Sequence, residues 1–223
     1  MAISLKKGQR INLEKTNGSK LTQFCVGCNW GAVIEKKLFG LMSSTVDVDL
    51  DLSCMLFDAE GKPIDHIYSP LYNFGDRKIG LPNGKVETYD HALRHTGDDR
   101  QGDQGGDDGL DNEIITVDLD RLRPDVASIV FFLNIYNNDD YKGDFSGIPY
   151  AYIRMFEGTP QRVKEVFAQY DVSTKTDCVG MRGLVLGKLY RRNGEWKFAA
   201  IGDAYPDPSI VHTIARVIKD YSK

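Results

Sequence analysis

The 223-residue sequence has no apolar run approaching the ~20 residues of a membrane span, which excludes a helical membrane protein. Its opening, Met1-Ala2-Ile3-Ser4-Leu5-Lys6-Lys7, lacks the apolar core of about 7–15 residues that marks a secretory signal. A cytoplasmic protein is expected. Basic charge is never clustered beyond Lys36-Lys37 or Arg191-Arg192. With a net charge of −4 and pI near 5.6, the chain does not suit general nucleic-acid binding, which needs a basic patch. Cysteine is scarce: Cys25, Cys28, Cys54 and Cys178. A zinc site needs a second cysteine pair or histidines at ligand spacing, and His66, His91, His95 and His212 are scattered. There is no internal repeat and no domain boundary, so residues 1–223 read as one domain.

Acid is present in excess, and in one place. Gly97-Asp98-Asp99-Arg100-Gln101-Gly102-Asp103-Gln104-Gly105-Gly106-Asp107-Asp108-Gly109-Leu110-Asp111-Asn112-Glu113 holds seven carboxylates, five glycines and one basic residue. That segment carries −6 while the whole chain carries −4, so the remainder is +2. Two like unit charges ~4 Å apart repel by about 1 kcal/mol in water and several times more near a protein surface. Such a loop either stays extended and solvated or wraps a cation. Glycine lets backbone carbonyls turn inward, and carboxylates with carbonyls are the oxygen donors that Ca²⁺ takes. No frame places acids at positions one, three and five with glycine at six, which excludes an EF-hand. Gly105 to Asp111 faintly echoes a calcium-binding nonapeptide, but those work as stacked repeats and no second copy exists. A phosphate cradle would need a Gly-Lys-Ser/Thr ending, and the negative charge would repel phosphate.

Most of the chain is patterned for strands. Ile3, Leu5, Ile11 and Leu13 flank a turn at Lys7-Gly8-Gln9, and Phe24, Val26, Cys28 and Trp30 alternate. On that strand Cys25 and Cys28 face opposite sides, which predicts reduced structural thiols. From Val46 to Leu56 one face is apolar and the other carries Asp47, Asp49, Asp51 and Ser53. Aspartate is a poor strand former, so this face reads either as a solvated wall or as an acidic wall beside the glycine loop. Ile64 to Tyr68, Ile115 to Leu119 and Tyr150 to Met155 read as further strands, and Ile129 to Tyr136 as a strand buried on both sides. Asn137-Asn138-Asp139-Asp140 is a second polar loop, and Ser69 to Arg94 reads as loops and short strands. Thr159 and Pro160 look like the start of a helix whose Val163, Val166, Phe167 and Tyr170 keep helical spacing. Asn193-Gly194 predicts a hairpin joining Leu184–Tyr190 to Trp196–Ile201. Pro208 to Tyr221 is an amphipathic helix. The sum is a mainly β fold, a β-sandwich of two sheets with one or two peripheral α-helices including a C-terminal one.

In this order the pieces resemble the TerD family of tellurium-resistance and stress proteins, over nearly the whole length. Ile3-Ser4-Leu5-Lys6-Lys7-Gly8 resembles the family's opening. Val26-Gly27-Cys28-Asn29-Trp30, Asp47-Val48-Asp49-Leu50-Asp51-Leu52-Ser53 and Tyr72-Asn73 resemble its next motifs. Its most specific signature is matched by His95 to Gly102, Gly106-Asp107-Asp108 and Ile115 to Leu119, and its closing hairpin by Tyr190 to Phe198. Asp99 departs from a common asparagine, extra residues precede Ile114, and Ser69 to Arg94 is longer than usual. The resemblance implies a β-sandwich binding calcium between the Asp-Leu-Asp strand and the Gly-Asp-Asp loop. It also implies a role in bacterial resistance to tellurite and related stresses.

Asp49, Asp51, Asp98, Asp107 and Asp108 are therefore the expected ligands, with Asp99, Asn73 and Glu113 as further candidates and backbone carbonyls near Gln101 and Gly106. These acids outnumber what one Ca²⁺ normally takes, so two ions are expected. The expected role is a calcium-dependent sensing or assembly module, not an enzyme. Its expected partners are other stress-response proteins, with membrane association, and no oligomeric state follows. The alternative is a Mg²⁺-dependent hydrolase or phosphotransferase using the same acids. That activity needs a base, a nucleophile or a phosphate clamp, and only Arg100, His91 and His95 lie nearby in sequence. Tellurite reduction by Cys25 and Cys28 is disfavoured by their strand geometry.

Overall fold

The computed structural model describes residues 3–4, 7–15, 18–37, 42–75, 80–136, 141–172 and 176–223. The polar loop read at residues 137–140 lies outside them. Among the described residues the strands are β1 (Ile3–Ser4), β2 (Arg10–Asn12), β3 (Gln23–Trp30), β4 (Val33–Lys37), β5 (Met42–Val46), β6 (Leu50–Phe57) and β7 (Pro63–Ile67). They continue with β8 (Leu93–His95), β9 (Glu113–Asp118), β10 (Ser128–Ile135), β11 (Ala151–Thr159), β12 (Arg162–Asp171), β13 (Gly183–Arg192) and β14 (Glu195–Tyr205). The helix α1 spans Ile210–Arg216 and continues as a π-helical turn over Val217–Tyr221.

Two six-stranded sheets face each other. The first runs β1-β12-β11-β3-β9-β8 and the second β2-β14-β13-β10-β6-β7. Neighbours are antiparallel except for β1 and β12. β4 and β5 form a separate two-stranded ribbon. The fold is mainly β, as the patterning predicts. The main core lies between the sheets and takes Val26, Cys28 and Trp30 from β3 and Leu50, Leu52, Cys54 and Leu56 from β6. β10 is buried along its whole length because the main core covers one face and α1 the other. A second apolar cluster sits under the helix, with Met55, Phe57, Val130, Phe132 and Val185 against Ile210, Ile214 and Val217. Asn193 and Gly194 turn the β13–β14 hairpin with φ of 54° and 79°, as the two central residues of a type I′ turn require.

Two local expectations are corrected. The stretch from Thr159 to Tyr170 is not helical: Pro160 sits in a hairpin turn and β12 follows. Register shifts at Met155/Phe156 and Glu157/Gly158 make bulges in this hairpin. Each bulge adds a residue to one strand, so Val163 and Val166 share a face at a spacing that imitates a helix. The Val46–Leu56 strand is also not continuous. β5 ends at Val46 in the ribbon, residues 47–49 break, and β6 begins at Leu50 in the second sheet.

The cysteines behave as their alternation predicts. Cys28 points into the main core, and Cys25 packs on the opposite side with Ile114 and Phe156. All four thiols are free and buried. Burial pushes Cys25 up to about 11 and Cys28 well above its ordinary range, so neither is a ready thiolate at neutral pH. Purified protein is expected to carry no stoichiometric zinc by elemental analysis. Zinc that disappears on Cys28→Ser would overturn this assignment.

Candidate metal centre

The glycine loop is stitched to the end of β3. Asp103 N donates to Trp30 O at 2.9 Å, and Ala32 N donates to Asp103 O at 3.0 Å. Gly102 has φ of +69° and lies so close to the Trp30 indole that a Cβ would collide with it. The indole Nε1 donates to Val48 O at 2.7 Å, so one buried ring joins the loop to the 47–49 break. Asp99 Oδ1 accepts from Gln101 N and Gly102 N at 2.9 and 3.1 Å and so shapes its own turn. These contacts shape the first half of the loop. They place like charges together instead of separating them.

The first acidic group is Asp49, Asp51 and Asp98, each offering an oxygen within 4.8 Å of the others. Asp49 and Asp51 are 4% and 2% exposed, which a carboxylate rarely tolerates without a partner. Asp49 Oδ1 and Asp98 Oδ1 are buried with no hydrogen-bond partner. Burial, and then the neighbouring charge of Asp98, pushes Asp49 up to about 7. Burial and the charges of Glu113 and Asp49 push Asp51 well above the carboxylate range, although the Tyr72 hydroxyl donates to it.

Glu113 lies beside this group and is also buried. Its Oε2 accepts from Leu52 N at 2.6 Å and its Oε1 from Asp99 N at 3.2 Å. Its carboxylate thereby ties β9 of one sheet to β6 of the other and to the loop. His95 Nε2 is 3.4 Å from Glu113 Oε2, and its Nδ1 accepts from Gly97 N at 3.0 Å. Burial lowers His95 to about 4, so it is neutral at pH 7.

The second group is Asp103, Asp107 and Asp108, again within 4.8 Å, and it is more exposed. Tyr150 OH donates to Asp103 Oδ2 at 2.7 Å. Asn29 Nδ2 donates to Asp107 Oδ1 at 3.0 Å, and Tyr152 OH lies 3.1 Å from Asp107 Oδ2. Arg154 anchors the far side of the loop, bonding Asp111 through Nε and the Gly109 carbonyl through Nη2 at 2.7 Å. Asp111 is buried enough to be pushed up to about 6 even with that guanidinium beside it.

The structure thus divides the expected ligands. Asp49, Asp51 and Asp98 meet, with Glu113 and Asp99 adjoining, while Asp107 and Asp108 join Asp103 in a separate group. Asp47 reaches the loop through Gln101 Nε2 and Gln104 Nε2, both at 3.3 Å. Gly106, at φ of +101°, is exposed. Asn73 is exposed, and it is the adjacent Tyr72 that touches Asp51. Sequence reasoning missed Asn29, Tyr72, Asp103, Tyr150, Tyr152 and Arg154.

The electrostatics give a pH prediction for chelated protein. Asp49 titrates near 7 when folded, against about 3.9 when unfolded. The folded chain therefore holds more protons across that window, and its stability should fall as pH rises through about 7. Urea midpoints in chelator should drop between roughly pH 5 and pH 8, and Asp49→Asn should flatten the slope. A slope unchanged by that substitution would count against the assignment.

Fold and site together define a class: a β-sandwich that gathers buried carboxylates from a glycine-rich loop and from the start of an inner strand. The TerD domain matches residues 1–216, and the chain belongs to that family. It is 32% identical to stress response protein SCP2 of Bacillus subtilis, over 98% of this chain and 100% of that protein. It is 32% identical to tellurium resistance protein TerZ of Serratia marcescens, over 91% and 90% of the two chains. The same identity relates it to tellurium resistance protein TerD of an Alcaligenes species, over 92% of each. Among solved structures, a homologue of telluride resistance protein TerD from Streptomyces coelicolor has the same fold, with a TM-score of 0.58. That match is 14% identical and covers 91% of this chain and 98% of the other. Among the described residues no helix is long and apolar enough to cross a membrane.

Proposed function

We propose that this chain is a calcium-binding member of the family, acting in the cytoplasm as an ion-dependent sensing or assembly module of the tellurite and stress response. One observation carries the reading. Asp49 and Asp51 are almost fully buried beside Asp98 and Glu113, with the Asp49 and Asp98 oxygens orphaned. Burying carboxylates is costly unless they are paired, protonated or hold a cation, and the Arg100 charge only partly offsets the burial of Asp49. All the donors are oxygen, which suits calcium rather than zinc or copper. The second group, Asp103, Asp107 and Asp108, supports a second ion. Asp49, Asp51 and Asp98 would hold the first, and Glu113 would fix the frame around it.

The names of the relatives support the stress-response setting. Hydrolysis draws less support, because His95 is buried and neutral and its Nδ1 is occupied by Gly97 N. Calorimetric titration with Ca²⁺ and Mg²⁺, run beside a phosphatase screen, tests the proposal. Calcium binding without turnover is expected. Turnover with Mg²⁺ that is lost in Asp51→Asn would replace it with the hydrolase reading.

A further inference from the structure

We infer that the C-terminal helix is the output element of the acidic cluster, so that occupancy of Asp49, Asp51 and Asp98 sets how firmly the helix is docked. This rests on the metal reading above and adds what the site controls.

The register of the second sheet places the connection. Asp51 of β6 stands opposite Asn134 of β10, Asn134 opposite Gly183 of β13, and Gly183 opposite Tyr205 of β14. Residues directly opposite in antiparallel strands project from the same face. Leu50, Leu52, Cys54 and Leu56 point into the main core, so Asp51 projects from the other face of β6 with Met55 and Phe57. That is the face covered by α1. The acidic cluster therefore opens, through Asp51, onto the layer that holds the helix.

Two contacts continue from there. Along the sheet, Asn134 Nδ2 donates to Thr213 Oγ1 of the helix at 2.7 Å, and Thr213 Oγ1 donates to Asp207 Oδ2 at 3.1 Å. Asp207 in turn holds Arg216 through Nη2 at 2.8 Å, and the guanidinium lies over the Tyr205 ring. Gly183 leaves the gap into which Thr213 fits, since a Cβ there would meet Thr213 Oγ1, Asp207 and Asn134. Asn134 is fully buried, yet its Oδ1 has no hydrogen-bond partner. Such an atom is uncommon, and it lies in the row between Asp51 and the helix.

Above the sheet, Tyr72 donates its hydroxyl to Asp51. The Tyr72 ring packs on Phe74 and Tyr136, with centroids 5.6 Å away in each case, and belongs to the same apolar cluster as Ile210, Ile214 and Val217. The first route starts beside Asp51 by strand register and the second at Asp51 through the Tyr72 hydroxyl, and both lead to the layer that holds the helix. With the site empty, Asp51 is crowded by Asp49, Asp98 and Glu113. A cation relieves that repulsion and lets the Asp51, Tyr72 and Asn134 row settle, which tightens the helix. Linkage then makes the effect reciprocal: loosening the helix weakens the ion by the same factor.

Hydrogen exchange over residues 207–221, with and without calcium, tests this in the intact chain. Calcium should slow exchange in the helix about 5-fold or more, a factor typical of coupled sites. Thr213→Val keeps the shape but removes the hydroxyl linking Asn134 to Asp207. It should retain calcium binding by calorimetry, with weaker affinity, and lose most of the helix response. Thr213→Ser should restore the response, and Tyr72→Phe should reduce it by the other route. Calcium binding with an unchanged helix in the unmodified protein would overturn the inference alone. So would an undiminished response in both Thr213→Val and Tyr72→Phe. Failure of the unmodified protein to bind calcium would overturn the metal reading and this inference together.

Discussion

Calcium should raise the melting midpoint of this protein, and magnesium should raise it less. A ligand that binds the folded chain and hardly the unfolded one stabilises by RT ln(1 + [L]/Kd), about 2.7 kcal/mol at a hundredfold excess over Kd. For a domain of this size that corresponds to roughly 5–10 °C. The folded state has specific grounds for the gain. Asp49 and Asp51 are buried beside Asp98 and Glu113, and two of the oxygens lack partners. Magnesium demands a tight octahedral shell and gives up water reluctantly, which suits a cluster framed by strand and loop less well. Substitutions should separate the groups. Asp51→Asn should abolish most of the response of the buried group, and Asp107→Asn should blunt that of the exposed one. In chelator both variants should melt close to the parent or above it, because Asp107→Asn removes a repelling charge and Asp51→Asn replaces a carboxyl that burial and its neighbours already disfavour as an anion. Equal melting of the unmodified protein in calcium and in chelator would remove the basis of the metal reading.

Arg154→Met should destabilise the fold by about 3–5 kcal/mol, the usual consequence of stranding one member of a buried ion pair. The Asp111 side chain is fully buried and Arg154 nearly so, and that guanidinium also holds the Gly109 carbonyl. Without it, Asp111 faces Asp103 and Asp107 with no counter-charge. Its carboxyl is already raised to about 6 and should rise further. The defect should therefore shrink as pH falls and protonation neutralises Asp111. Adding Asp111→Asn should recover most of the loss at neutral pH. Urea unfolding of the single and double variants at two pH values checks this. A single variant as stable as the parent would show that the contact is worth no more than a surface pair.

Much of this was legible from local chemistry. The C-terminal helix announces itself by apolar spacing, the closing hairpin by Asn193-Gly194, and the acidic loop by charge. β12 was not legible, because two bulges gave its apolar residues a helical interval. The break at residues 47–49 was hidden by an alternation that persists through it. The supports of the acidic loop come from strands far away in sequence. Asn29 and Asp107 are 78 residues apart, and Arg154 and Asp111 are 43. One trace of them was present on β3, whose outer face reads Cys25, Gly27, Asn29. Gly27 has no side chain because the Asp111 carboxylate lies where its Cβ would go. An alternating strand that gives one face to cysteine, glycine and asparagine is leaving room for something. The sequence alone does not say which segment arrives there.

The tryptophan at the end of β3 has an optical consequence. The chain has two tryptophans. Trp196 is half-buried on the closing hairpin with the Arg191 guanidinium over its ring. Trp30 is completely buried, with its N–H on the Val48 carbonyl and Gly102 against its ring. An indole emits at a wavelength set by the polarity around it, and Trp30 touches both chain segments that carry the buried acids. The protein thus contains its own fluorophore at the junction of strand and loop. With Trp196→Phe removing the second emitter, ordinary fluorescence should follow that junction in real time, with no attached dye.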